Sequence, residues 1–578
     1  MDAIIGTGKI SKREYGITAH RNVAIPMSDG VTIDVDIFRP DGEGKFPALV
    51  AISAFNKEVQ SGRILPAATR TRRIRGVPDA CLEAGPGDFF VRRGYVHIIA
   101  SVRGTGRSGG TYNYVSPREV RDTYEIIEWA AEQPWCSGSV GMIGLGYFAA
   151  HQTLVAALKP PHLKAIVPMG GFMDNYREFW WPGGIFEKGF ARWLVSLVNF
   201  DIHTQESALK LELGEQGYKE AIARALADKD ISAAPEIVDA LKNPDLPCNA
   251  PYLDLALHPT DGPYWRERDV DYEKLETPIY LGAAAHRPGP FNHWHELKGP
   301  KKLIFFPPPY MDRPFYQISW EQLRWFDYWL KGIDTGIMEE PAIKMFVRGS
   351  DEWIMTNDFP VPGTRFIPFN LHEDGSLCEA EPWPEAASAS YDDAPNNRGS
   401  LKYSSAPFVE KTEIAGPIVL NLYASCRSVD MNFFISLWDA DPNGQETCLT
   451  RGYLKASHRE LDQEKSQPWL PFHTHTNPQS LVPGRVYDFS IALNPTANLF
   501  TAGHRMVLKI SSSDDKPEDL FHVGMEHLVS QTSNTVTLYH SAEYPSHLLL
   551  PVTRGNIVGT YASGGDISLK SKEFMKHQ

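Results

Sequence analysis

Cysteine is scarce: six residues in 578, Cys81, Cys136, Cys248, Cys378, Cys426 and Cys448, all far apart. Without paired spacing they form neither a redox CxxC nor a zinc knuckle, and free buried thiols are expected. No stretch approaches the roughly 18 apolar residues of a membrane span, and the start, MDAIIGTGKISKREYGITAH, lacks the apolar core of a secretory signal. A cytoplasmic protein without a membrane partner is the expectation. Positive charge is in deficit, 57 Lys and Arg against 71 Asp and Glu for a net charge of −14. That argues against a nucleic-acid or anionic-membrane partner, which requires surplus cations to displace counterions. The glycine-rich run at 104–110 lacks the GxxxxGK[ST] order of a phosphate loop. The His293-Trp294-His295 pair has no clear third ligand, so no metal and no cofactor are expected.

What remains is a globular composition, 42% hydrophobic, 22% charged and 11% aromatic, which excludes wholesale disorder. VTIDVDI (31–37), FPALVAISAF, GYVHIIASV (94–102) and SVGMIGLG (139–146) read as strands, and PREVRDTYEIIEWAAEQ and YFAAHQTLVAAL as helices. Strands alternating with helices predict a mostly parallel sheet covered on both faces. From about 172 to 265 the chain turns helix-like and rich in large aromatics, among them Trp180 and Trp181; TPIYLGAAA, KKLIFFPPP and SWEQLRWFDYWLKG then resume the strand–helix theme. Beyond about 345 short strand-like runs recur between Pro, Gly, Asn and Asp clusters, as in a sandwich. The expected order is a sheet domain at 1–170 and 270–345, a helical cap at 171–269 between its halves, and a β-sandwich at 346–578. The polar stretch at 379–397 reads as an extended loop.

A strand ending in Gly-x-Ser-x-Gly and turning sharply into a helix presents the serine of an α/β-hydrolase above its sheet. Here the same context reads Gly144-Leu145-Gly146-Tyr147-Phe148, with glycine at the serine position. The chain resembles the cocaine esterase and X-Pro dipeptidyl-peptidase family, the CocE/NonD-type hydrolases, over about 15–560. The matching segments are RGTGRSGG (103–110), QPWCSGSVGMIG (133–144), DNYREFWWPGGIFEKGF (174–190), FDYWLKGIDTG (326–336), FVEKTEIAGPIVLNL and NPTANLFTAGHRMVLKISSS. The resemblance implies an α/β-hydrolase domain with an inserted helical cap and a C-terminal jelly-roll-like sandwich. It also locates the catalytic positions. The serine falls on Gly146. The aspartate of a Gly-x-x-Asp pattern falls on Ala285, three residues after Gly282. The histidine of a Gly-Pro-x-x-His pattern falls on Tyr310, three after Pro307, and the oxyanion tyrosine falls on Phe55 within Ser53-Ala54-Phe55-Asn56. Of the expected machinery only the Tyr147 backbone N–H remains as an oxyanion donor.

Replacement groups are few, and each has a plain structural reading. His286, His293 and His295 lie beside the lost aspartate, where loops at strand ends form the mouth of an α/β site; each is a general base or a hydrogen-bonded loop histidine. Tyr310 and Tyr147 are hydrogen-bond donors to a substrate or packed tyrosines. Trp180 and Trp181 are a substrate wall or cap core, and the arginine run at 70–75 is an anion guide or a solvated surface. Losing Ser, Asp, His and Tyr leaves a more apolar pocket, with Gly146, Phe55, Ala285, Trp180 and Trp181 as substrate-binding positions and Tyr310, His286 and Tyr147 as catalytic ones. The first expectation is an enzyme acting noncovalently on a hydrophobic small molecule. Its rivals are a pseudo-hydrolase that only binds, and a conventional esterase or amidase using Ser53 or Ser101. A homodimer is compatible with each.

Overall fold

The computed structural model describes residues 9–55, 57, 83–171, 173–189, 191–192, 202–203, 206–246, 249–283, 289–306, 314–382, 384–515 and 526–555. Ala285, His286, Tyr310 and the arginine run at 70–75 lie outside these residues.

The first sheet has ten strands: β1 (Ile17–Pro26), β2 (Thr32–Pro40), β3 (Phe46–Ser53), β4 (Val96–Ser101), β5 (Cys136–Leu145), β6 (Leu163–Met169), β7 (Ile279–Ala283), β8 (Lys301–Phe305), β9 (Ile343–Val347) and β10 (Glu352–Thr356). Their order is β1-β2-β4-β3-β5-β6-β7-β8-β9-β10. The strands from β4 to β9 run parallel, and β1, β2 and β10 pair antiparallel at the edges. The central strand β3, FPALVAIS, is buried at every position, which is why it reads as an unbroken apolar run. The sheet continues through β10, past residue 345 where the sequence reading ended it, because Trp353 pairs in register with Phe346 and packs on its ring 5.4 Å away.

Helices α1 (Gly87–Val91), α2 (Pro117–Ala131) and α3 (Tyr147–Ala157) accompany the first half of the sheet. Ser116 caps α2 by accepting the Glu119 N–H, with Pro117 in the first helical position, where its missing N–H costs nothing. Helix α3 is buried on every side, as its mostly apolar sequence demands, with the polar His151, Gln152 and Thr153 buried in it too. Between β6 and β7 come α4 (Ala208–Ala227), α5 (Pro235–Lys242) and α6 (Asn249–Ala256); α7 (Gly289–Asn292) and α8 (Pro314–Lys331) follow β7 and β8.

Among the described residues the second sheet has twelve strands, and every strand-to-strand ladder in it is antiparallel. Its apolar core, with Phe433, Phe489, Leu508 and Leu548, is separate from that of the first sheet, as in a sandwich. The polar stretch expected as a loop at 379–397 contains a strand, Ser388–Ala394, paired with Asn534–Tyr539. Partner and packing decide it: Tyr391 is buried, and Ser390 hydrogen-bonds Thr537 across the pair.

Cys136 and Cys426 are buried and Cys378 and Cys448 half-buried, and no disulfide joins them to one another. Among the described residues no helix is long and apolar enough to cross a membrane, and no cluster of His, Cys, Asp or Glu could hold a metal ion.

Candidate active site

Gly146 joins β5 to α3 with φ 59° and ψ −117°. A side chain rarely adopts that conformation, whereas glycine enters it freely. The turn is held from below: the Gly146 N–H donates to the Met169 carbonyl at 3.1 Å and the Leu145 N–H to that of Glu83 at 2.9 Å. The Tyr147 N–H opens α3 and has no acceptor among the described residues, leaving one helix-terminal donor for an anionic oxygen. A Gly146→Ser variant is expected to lose about 1–3 kcal/mol of stability through strain at this turn. Urea unfolding checks this; an unchanged midpoint would show that the turn relaxes.

Phe55 follows β3 and is buried, its N–H donating to Ser53 Oγ at 3.0 Å and its ring 5.7 Å from that of Tyr147. Two residues on, the buried Lys57 ammonium lies 2.6 Å from Asp34 and 2.7 Å from Asp36 of β2, tying the chain after Phe55 to the sheet. An aromatic series continues from Tyr147 to Tyr114, ring to ring at 5.7 Å, and from Tyr114 to Trp180 at 5.4 Å. Phe55, Tyr147 and Trp180 are thus linked ring to ring through Tyr114 beside the Gly146 turn. Trp181 does not join them. It stacks on Tyr176 and donates its indole N–H to the Leu255 carbonyl at 2.9 Å, within the cap. Residues 176–180 form one turn of π-helix, closed by the Trp181 N–H to the Tyr176 carbonyl at 2.8 Å, with Trp181 just past its end.

The Tyr147 side chain is not free to meet a substrate. Its hydroxyl donates to Glu119 Oε1 at 3.1 Å and lies 3.2 Å from the Tyr112 hydroxyl, and Glu119 also holds His151 Nε2. Glu119 and His151 are fully buried. The sequence reading missed this network, although the polar His151-Gln152-Thr153 inside the apolar run YFAAHQTLVAA was the available signal.

His293 and His295 also take structural parts. His293 lies 3.2 Å from both Glu178 and Glu296 and stacks on Tyr272. Burial opposes its charge, but the hydrogen bonds to Glu178 and Glu296 prevail and push it up to about 10. It is a fixed imidazolium, unsuited to act as a base near neutrality. His295 is exposed and tethered to the Phe359 carbonyl at 2.6 Å. Ser53 and Ser101 are buried, and neither hydroxyl bonds a histidine among the described residues.

The X-Pro dipeptidyl-peptidase (S15 family) pattern matches residues 29–308, and that of the X-Pro dipeptidyl-peptidase C-terminal non-catalytic domain matches residues 335–549. The chain belongs to the CocE/NonD, X-Pro dipeptidyl-peptidase-like family. Cocaine esterase from Rhodococcus sp. is 24% identical over 92% of this chain and 98% of its own length. A CocE/NonD family hydrolase from Staphylococcus aureus superposes with a TM-score of 0.79 at 26% identity, covering 93% of this chain and 94% of that one. An aminopeptidase from a marine sediment Thaumarchaeota archaeon shares the fold at 17% identity, TM-score 0.73, over 95% of this chain and 99% of its own. In this CocE/NonD-type chain Gly146 stands at the turn from β5 into α3.

Proposed function

We propose that this CocE/NonD-type protein is an enzyme that acts on a hydrophobic small molecule without a covalent acyl intermediate. One observation carries the reading: Gly146 occupies the strand-to-helix turn and offers no oxygen or sulfur to attack a carbonyl. The surroundings favour an apolar substrate, since Phe55, Tyr114 and Trp180 supply rings. The fitting reactions are cyclisation or another rearrangement, a lyase or decarboxylation step, and histidine-assisted addition of water, each helped by orientation in an enclosed site. The Tyr147 N–H is the donor to developing negative charge, with Tyr310 and His286 the proposed hydrogen-bonding and proton-transfer groups and Ala285 a further pocket position.

The test is intact-mass analysis after exposure to a serine-directed fluorophosphonate, followed by mass spectrometry of small molecules retained on purification. No stoichiometric adduct is expected, and Tyr310→Phe or His286→Ala should slow turnover of the retained metabolite. An adduct on any serine would end the noncovalent reading, and a retained ligand that is never turned over would leave a binding protein.

A further inference from the structure

A cavity of about 900 Å³ opens where the cap, the chain around α7 and the loop at 462–476 of the second domain meet. Gly146, Phe55, Tyr147 and Trp180 do not line it.

Most of its charged groups already neutralise one another. Arg177 lies 2.8 Å from Asp174 and 2.7 Å from Asp261. Arg266 also faces Asp261, and His293 sits between Glu178 and Glu296. Asp462 accepts the Glu464 and Lys465 backbone N–H groups, and the exposed Lys465 ammonium rests over the Phe472 ring. Asp269 has no ionic partner among the described residues; burial, then the charges of Asp174 and Asp261, push its carboxyl up to about 8, so at neutral pH it is a neutral donor and acceptor. An ion entering here would find little uncompensated charge.

The uncommitted groups are of another kind. Trp469 is half-buried, lines the cavity and touches no other ring among the described residues. Asn292, Gln467 and Asn494 line it too, and their side-chain amides make no hydrogen bond to a described residue. An amide both donates and accepts, as a hydroxyl does. An indole face attracts the slightly positive C–H edge of a saturated ring. A free flat aromatic beside free amides matches a ligand with one apolar face and a rim of hydroxyls, and the volume lies within the range of small-molecule sites.

We propose that this cavity is a second binding site, separate from the elbow, for a neutral pyranose unit, with Trp469 as its stacking face and Asn292, Gln467 and Asn494 engaging its hydroxyls. The proposal depends on no chemistry at Gly146. Isothermal titration of the full-length protein with the methyl pyranosides of glucose, galactose, mannose and xylose tests it, with sorbitol as an open-chain control of similar hydroxyl content and benzylammonium as a cationic one. At least one pyranoside should saturate with a Kd near or below about 1 mM. Trp469→Ala should weaken it about tenfold, Trp469→Phe should keep most of the affinity, and sorbitol should not saturate. Affinity should fall as pH passes about 8, where Asp269 ionises, and Asp269→Asn should remove that fall. Thermal unfolding confirms that each variant is folded. The proposal is overturned if no pyranoside saturates, if Trp469→Ala binds as tightly as the parent, or if benzylammonium alone saturates.

Discussion

Replacing Lys57 with methionine is expected to cost about 3–5 kcal/mol, because it strands the buried Asp34 carboxylate. The ammonium is 5% exposed and holds Asp34 at 2.6 Å and Asp36 at 2.7 Å, with Asn22 Oδ1 at 3.1 Å. Without it Asp36 keeps the Arg21 guanidinium at 2.9 Å, while Asp34 loses its cation. The damage should reach the site, since Lys57 lies two residues beyond Phe55 and anchors that chain to β2. Guanidinium unfolding should show a lower midpoint at an unchanged slope, the mark of lost stability without a change in the denatured state. A second exchange, Asp34→Asn in the Lys57→Met background, should recover part of the loss by removing the stranded charge. A loss below about 1 kcal/mol, the worth of an exposed pair, would mean that water reaches the group.

The same residues show where reading the sequence succeeded and where it could not. β3 and β5 were legible because central parallel strands are buried on both faces and so spell continuous apolar runs. The elbow was legible because a strand passed into a helix through glycines with no breaker after them. VTIDVDI looked half-solvated, yet Asp34 and Asp36 are both buried. Their alternation reported a buried ionic cluster, and its cation stands more than twenty residues away. Trp180 and Trp181 were indistinguishable as neighbours, and only their partners separate them, Tyr114 for Trp180 and Tyr176 with the Leu255 carbonyl for Trp181. The Glu119, His151, Tyr147 and Tyr112 network joins three segments, a pairing that no local pattern encodes.

Exchanging His293 for leucine should cost about 3–5 kcal/mol at pH 6, because Glu178, 4% exposed, would be left as a buried carboxylate with no counter-charge. Glu178 is committed to this place: its Oε2 accepts the Met173 N–H at 2.9 Å, and its carboxylate lies so close over Gly289 that a Cβ there would come within 2.0 Å of Oε2. The imidazolium thus clamps the cap to α7, the helix that follows β7. The pH dependence has a definite sign. A histidine raised from its usual 6.5 to about 10 in the folded state contributes its full stabilisation below 6.5, and loses it as pH climbs through about 10. The gap between parent and His293→Leu should therefore be widest at pH 6 and narrow steadily toward pH 10. Asp269 titrates in the same window, near 8, so the series is best run in an Asp269→Asn background, where that contribution is absent. Urea midpoints at pH 6, 8 and 10 decide the matter. A gap that stayed constant across the series would mean that His293 packs there as a neutral ring, and the clamp would be steric rather than ionic.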